Sequence, residues 1–136
     1  MPLPANTPES TPVINQVLHL FETGSPEIMT HVAPDIDFRI DHYRDETDVS
    51  WQSAKDIESF GAVLTRLATD VFPSGTKILS VETQALGNNW FSTRFEQRFF
   101  YAQRDRMVES VTHITTHETD GKMDFFREIV TTITDI

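Results

Sequence analysis

The chain has 136 residues, 38% of them hydrophobic, with a formal net charge of −10 and no cysteine. That length supports one folded domain with its own core. The negative balance argues against nucleic acid and acidic membrane faces as partners, and the missing thiols exclude disulfides and thiolate metal sites.

No apolar run approaches the roughly 18 residues that span a bilayer. The opening MPLPANTPESTP has neither the basic nor the apolar region of a signal peptide. A soluble, cytoplasmic protein is therefore expected. Residues 1 to about 10 are rich in Pro, Ser and Thr and offer little apolar surface to bury, which predicts a disordered tail before a single domain at 11–136. Thr11 can cap and Pro12 open a helix whose Val13, Val17, Leu18 and Phe21 form one apolar stripe, with Gly24 ending it. SPEIMTHVAP repeats the pattern: Ser25 caps, Pro26 opens, Ile28, Met29 and Val32 are apolar, and Pro34 stops the turn.

Next, IDFRIDHY alternates Ile36, Phe38 and Ile40 against Asp37, Arg39 and Asp41, a half-buried strand on which His42 continues the apolar parity. After the acidic loop, Ser53 is placed to cap a longer helix carrying Ile57, Phe60, Val63, Leu64, Leu67 and Val71 at helical spacing, broken by Pro73. His42 and Trp51 flank that loop and can form a pocket mouth or simply anchor it. Residues 76–86, 90–102, 107–119 and 122–134 then read as strands, separated by GNN, QRDR and TDGK. Helices followed by an antiparallel meander predict an α+β domain with the helices packed on one face of a curved sheet.

The turns suggest a register. A two-residue turn at Asp120-Gly121 pairs Thr119 with Lys122 and, further along, His113 with Glu128. A two-residue loop at Arg104-Asp105 pairs Gln103 with Arg106 and sets Glu96 opposite His113. Glu96, His113 and Glu128 then form one row across three strands, about 4.8 Å between neighbours, with Arg94 two residues along. In a dry pocket such a row separates proton affinities into a general acid and a general base. In water it is only a cross-strand charge ladder. The opposite parity, with Phe91, Phe95, Phe99, Ile114, Phe125 and Ile129, is apolar enough to receive the helices by itself. If the charged side faces inwards instead, those phenylalanines need a cover, which predicts a homodimer packed sheet to sheet.

Two short helices, a strand, a long helix and a meander ending in TDGKMDFFREIVTTI resemble the cone of the nuclear transport factor 2-like and SnoaL-like superfamily. That resemblance implies a pocket for a small hydrophobic molecule between the helices and the concave sheet, and functions from isomerase, dehydratase, cyclase and epoxide hydrolase to ligand binding without catalysis. Arg94-x-Glu96 and Glu128, which follows Phe126-Arg127, are similar to the water-activating Asp-Arg-Asp arrangement of limonene epoxide hydrolases. The tyrosine and asparagine that help hold the water there fall at Phe38 and Ile40 here.

The resemblance thus implies cofactor-free chemistry. His113 or Glu128 would move the proton, Glu96 would orient His113, and Arg94 would stabilise developing negative charge. Phe38, Ile40, His42, Trp51, Phe60 and Phe126 are the expected ligand contacts. The alternative is a non-catalytic ligand-binding or dimerisation module. No metal or cofactor is expected: His113 and His117 lie some 13 Å apart on a strand, too far to share an ion. Nucleotide-binding and nucleophile-elbow motifs are absent from the sequence.

Overall fold

Four buried side chains on one stripe, Val13, Ile14, Val17 and Leu18, make α1 (Val13–Thr23) the first element in the computed structural model, which describes residues 11–43 and 51–136. The expected tail and most of the acidic loop lie outside those residues. Burial of such a stripe stabilises by roughly 1.5–3 kcal/mol per large side chain. No side chain at its own N-terminus caps α1. Instead, the Val13 N–H donates to Glu118 Oε2 at 2.8 Å, tying the helix to a strand far along the chain. The helix ends at Gly24, whose φ of 68° is the left-handed turn that glycine adopts without cost.

Ser25 Oγ accepts from the Glu27 N–H at 3.2 Å and Pro26 opens a 3-10 turn, Pro26–His31. The chain passes directly into β1 (Val32–His42), so Pro34 lies within the strand rather than ending the turn. Its missing N–H is tolerated because β1 pairing is irregular between Val32 and Asp37. Ser53 is not a helix cap either: with Ala54 it forms β2 (Ser53–Ala54), paired to β1. Asp56 takes that role for α2 (Ile57–Arg66), its Oδ1 accepting from the Ser59 N–H at 2.8 Å in a reciprocal capping box. A π-helical turn, Leu67–Val71, continues α2 and closes with Phe72 N–H donating to Leu67 O at 2.8 Å. Leu67 and Val71 are both buried beneath it.

Strands β3 (Thr76–Gly87), β4 (Trp90–Tyr101), β5 (Arg106–Thr119) and β6 (Lys122–Asp135) complete a six-stranded sheet in the order β2-β1-β6-β5-β4-β3. All its pairings are antiparallel except β1 with β6. The sheet is open and mixed, with the helices over one face, as expected of an α+β cone.

Two registers differ from the expectation. The β4–β5 connection has four residues, 102–105, because Tyr101 pairs with Arg106, so Arg94 rather than Glu96 lies opposite His113. The Asp120-Gly121 turn does pair Thr119 with Lys122, but pairing then jumps from Glu118↔Met123 to His117↔Phe125. Asp124 is the extra residue, a β-bulge. Its side chain fastens the bulge, accepting at Oδ1 2.8 Å from His117 Nδ1 and at Oδ2 2.7 Å from Thr119 Oγ1. One extra residue exchanges the two faces of everything beyond it. Glu128 therefore pairs with Ile114 instead of His113 and turns inwards.

The faces are now decided. Thr93, Phe95, Gln97, Phe99 and Tyr101 of β4, with the even-numbered residues Val108 to Thr116 of β5, are buried on the helix side. Phe126 also faces this side, stacked on Phe38 with ring centroids 4.6 Å apart, while Phe60 meets Phe38 edge-on at 5.0 Å. Phe125 and Ile129 were expected beside Phe95. Beyond the bulge they fall on the other face, where Phe125 lies against Trp90 at 5.2 Å and Ile129 is 47% exposed.

Candidate functional site

The cone encloses a cavity of two adjoining lobes, of about 60 and 40 Å³. The larger lobe is walled by α1 through Val17, Leu18 and Phe21, by α2 through Phe60 and Leu64, and by Phe38 and Phe126 from the sheet. The smaller is more polar, with His42, Gln52, Tyr101 and Ser110 in its wall. Gln97 and Glu128 line both lobes and stand where they meet.

Glu128 is the chemically distinctive group. It is 8% exposed, on the inward face of β6, with Ile40 directly beside it on β1. Burial pushes its carboxyl up to about 7, since an ion in this apolar setting loses its hydration. Thr112, one inward position from Ile114 on β5, pulls the other way by offering a hydroxyl, too weakly to offset the burial. That contact is loose: Thr112 Oγ1 is fully buried and forms no hydrogen bond of ordinary geometry. No Lys or Arg stands among the described residues lining either lobe. The carboxyl therefore exchanges a proton near neutrality beside an apolar space, the condition a general acid or base requires.

Arg94, Glu96 and His113 are placed elsewhere. They lie on the outer face of the sheet, away from the cavity, where Arg94 Nη1 donates to Glu96 Oε1 and the two side chains are 40% and 32% exposed. That contact holds the Arg94 guanidinium above its ordinary value. His113 is exposed opposite Arg94. The expected row of Glu96, His113 and Glu128 does not form, because the Asp124 bulge sends its third member through the sheet. Close by on the outer face, Arg127 pairs with Asp37 at 2.9 Å and, with Lys55, holds that carboxyl below the usual range against the opposing effect of partial burial.

Of the expected ligand contacts, Phe38, Ile40, Phe60 and Phe126 line the larger lobe and His42 the smaller. Trp51 lines neither, packing against the core under the Arg66 guanidinium, 4.3 Å from its ring centroid. Sequence reasoning passed over Gln97, Ser110 and Thr112. The available signal was a polar residue on an apolar parity: Gln97 lies between Phe95 and Phe99, and Ser110 and Thr112 between Val108 and Ile114. Among the described residues no group of three or more His, Asp or Glu is placed to hold a metal ion, and no helix is long and apolar enough to cross a membrane.

The backbone superimposes on a protein of cystatin-like fold from Xanthomonas campestris with a TM-score of 0.69, at 12% identity, covering 87% of this chain and 87% of that one. The chain has the nuclear transport factor 2-like fold. A nuclear transport factor 2-like protein from Anabaena variabilis matches with a TM-score of 0.67 at 13% identity over 87% of this chain and 86% of that one. A candidate SnoaL-like polyketide cyclase from Mesorhizobium loti matches at 0.58 and 12% identity over 85% and 94%. No protein-family model and no curated protein matches the sequence, so the likeness is carried by the backbone path. Within the nuclear transport factor 2-like cone, the helices and the inward sheet face enclose the cavity just described.

Proposed function

We propose that the cavity binds a small, mainly apolar molecule and that Glu128 exchanges a proton with it, in cofactor-free acid–base chemistry of the isomerase, dehydratase or cyclase kind. One observation carries this reading: a single carboxyl, buried among aromatic and aliphatic side chains without a cation beside it, titrates at about 7. The SnoaL-like candidate cyclase among the similar folds supports the same class of chemistry. His42, two positions beyond Ile40 on β1, lies in the smaller lobe with Glu128 and is the second group able to take part in proton transfer there.

The closed cavity is well below the roughly 300 Å³ of a drug-sized site. Phe21, Ile28 and Leu64 separate it from an outer groove of about 500 Å³ between α1, the 3-10 turn and α2. Phe21 and Leu64 are half-buried and are the side chains that swing aside to admit a ligand.

The test is catalysed exchange of the α-protons of small cyclic ketones in deuterated water, followed by proton NMR. Wild type should accelerate exchange, with a pH dependence centred near 7, and Glu128→Gln should lose the acceleration while ketone affinity changes less than about threefold, since the amide keeps the shape. Binding without acceleration for every ketone tried would favour the second reading, a non-catalytic ligand-binding module. That reading draws on the outward placement of Arg94, Glu96 and His113, which leaves Glu128 as the only carboxyl among the described residues that line the cavity.

A further inference from the structure

Two buried polar groups remain that the proton transfer does not use. Ser110 is 2% exposed, its Oγ lies in the wall of the smaller lobe, and it has no hydrogen-bond partner. Gln97 sits directly opposite it across β4 and β5 and is 5% exposed. Its Oε1 is already occupied, accepting from Thr76 Oγ1 at 2.6 Å, while its amide nitrogen has no partner among the described residues. A buried polar group without a partner costs roughly 1–3 kcal/mol, and such groups are rare enough to need a reason. Here two donors, one hydroxyl and one amide, meet on opposed inward positions whose side chains are about 5 Å apart. They converge on the junction where Glu128 stands.

We propose that Ser110 and Gln97 form an oxygen-acceptor subsite at the junction of the two lobes, so that the ligand is a neutral carbonyl or hydroxyl compound and carboxylates are rejected. Each donor would give a hydrogen bond to one ligand oxygen, placing the adjacent carbon against Glu128. Rejection of anions follows from the same walls: no Lys or Arg is present among the described lining residues to balance a second negative charge beside Glu128. The inference rests on the reading of the cavity as a small-molecule site, and it adds which residues select the molecule and by what chemistry.

Three probes of similar ring size separate the possibilities: cyclohexanone, its apolar isostere methylenecyclohexane, and cyclohexanecarboxylate. Affinities are read by NMR titration at pH 6 and pH 8 for the wild type, Ser110→Ala and Gln97→Leu, with the melting temperature of each free protein. Wild type should prefer the ketone over the isostere by roughly threefold to tenfold, the effect of one or two neutral hydrogen bonds, and should bind the carboxylate least at both pH values.

In Ser110→Ala the preference should shrink or vanish while the melting temperature is unchanged or raised, because the hydroxyl has no partner to lose. A purely structural serine gives the opposite pattern, a lower melting temperature with the ketone preference intact, and that result overturns the assignment. Carboxylate binding equal to that of the ketone overturns the charge selection. Failure of all three probes to bind overturns the small-molecule reading itself, and the subsite with it; binding of the isostere as tightly as the ketone overturns the subsite alone. Gln97→Leu guards against a folding artefact, since it removes the second donor without touching Ser110.

Discussion

Glu96 and Glu128 are the same side chain on opposite faces of one sheet. Glu96 lies outside, about one-third exposed and paired with Arg94, a partner that water and salt largely replace. Glu128 lies inside, and the loss of hydration alone raises its carboxyl to about 7. Residue type is identical, and the medium on each face decides whether the group is a surface charge or a proton-transfer group.

The contrast is sharpest between adjacent residues, Phe125 and Phe126. Phe126 is 4% exposed and stacked on Phe38, so Phe126→Ala should cost roughly 3–5 kcal/mol through the cavity it leaves. Phe125 is half-buried against Trp90 on the outer face, and Phe125→Ala should cost less than half as much. Chemical denaturation of the two variants checks this; equal losses would show that the bulge does not separate the faces in solution.

The next effect in size is the dependence of stability on pH. The folded state holds the Glu128 proton from the unfolded value near 4.5 up to about 7. Its stabilisation is therefore complete below about 4.5 and is lost as pH rises to about 7, a decline of about 3 kcal/mol from this group. Asp37, held below its ordinary value by Arg127, acts in the opposite sense, its contribution falling away only at acid pH below the Glu128 window. Glu128→Gln should remove the decline between pH 5 and 8 and make the variant the more stable protein at pH 8. Guanidinium titrations at the two pH values measure it, and a wild-type stability that is flat over that range would contradict the burial argument.

The smallest effect belongs to the outer face. Arg94→Ala should change stability by about 0.2–1 kcal/mol, less in high salt, and leave cavity binding unaltered. A large loss of affinity in this variant would return Arg94 to the site.

The expected homodimer rested on an outward row of phenylalanines. Phe95 and Phe99 are buried on the helix side and Phe91 is half-buried on the same face, which leaves Phe125 and Ile129 as the apolar residues of that group on the outer face.

Local sequence chemistry was enough for most of the fold. Apolar alternation placed β3 to β6 within a residue or two, helical spacing placed α1 and α2, and Gly24, Ser25 and Asp120-Gly121 marked their turns because each turn needs a backbone angle or acceptor those residues supply. The side of the sheet on which Glu128 works was not legible. MDFFREIV offers apolar residues on both parities, Met123, Phe125 and Ile129 on one and Phe126 and Val130 on the other, so alternation alone cannot choose.

The choice is made by Asp124, an extra residue held in place by His117 and Thr119 on the neighbouring strand. Composition and periodicity determined that this chain forms a helix-covered sheet with a mixed aromatic and acidic last strand. Only the tertiary pairing decided that Glu128 points into the cavity, because a bulge costs one residue in sequence yet reverses every side chain beyond it.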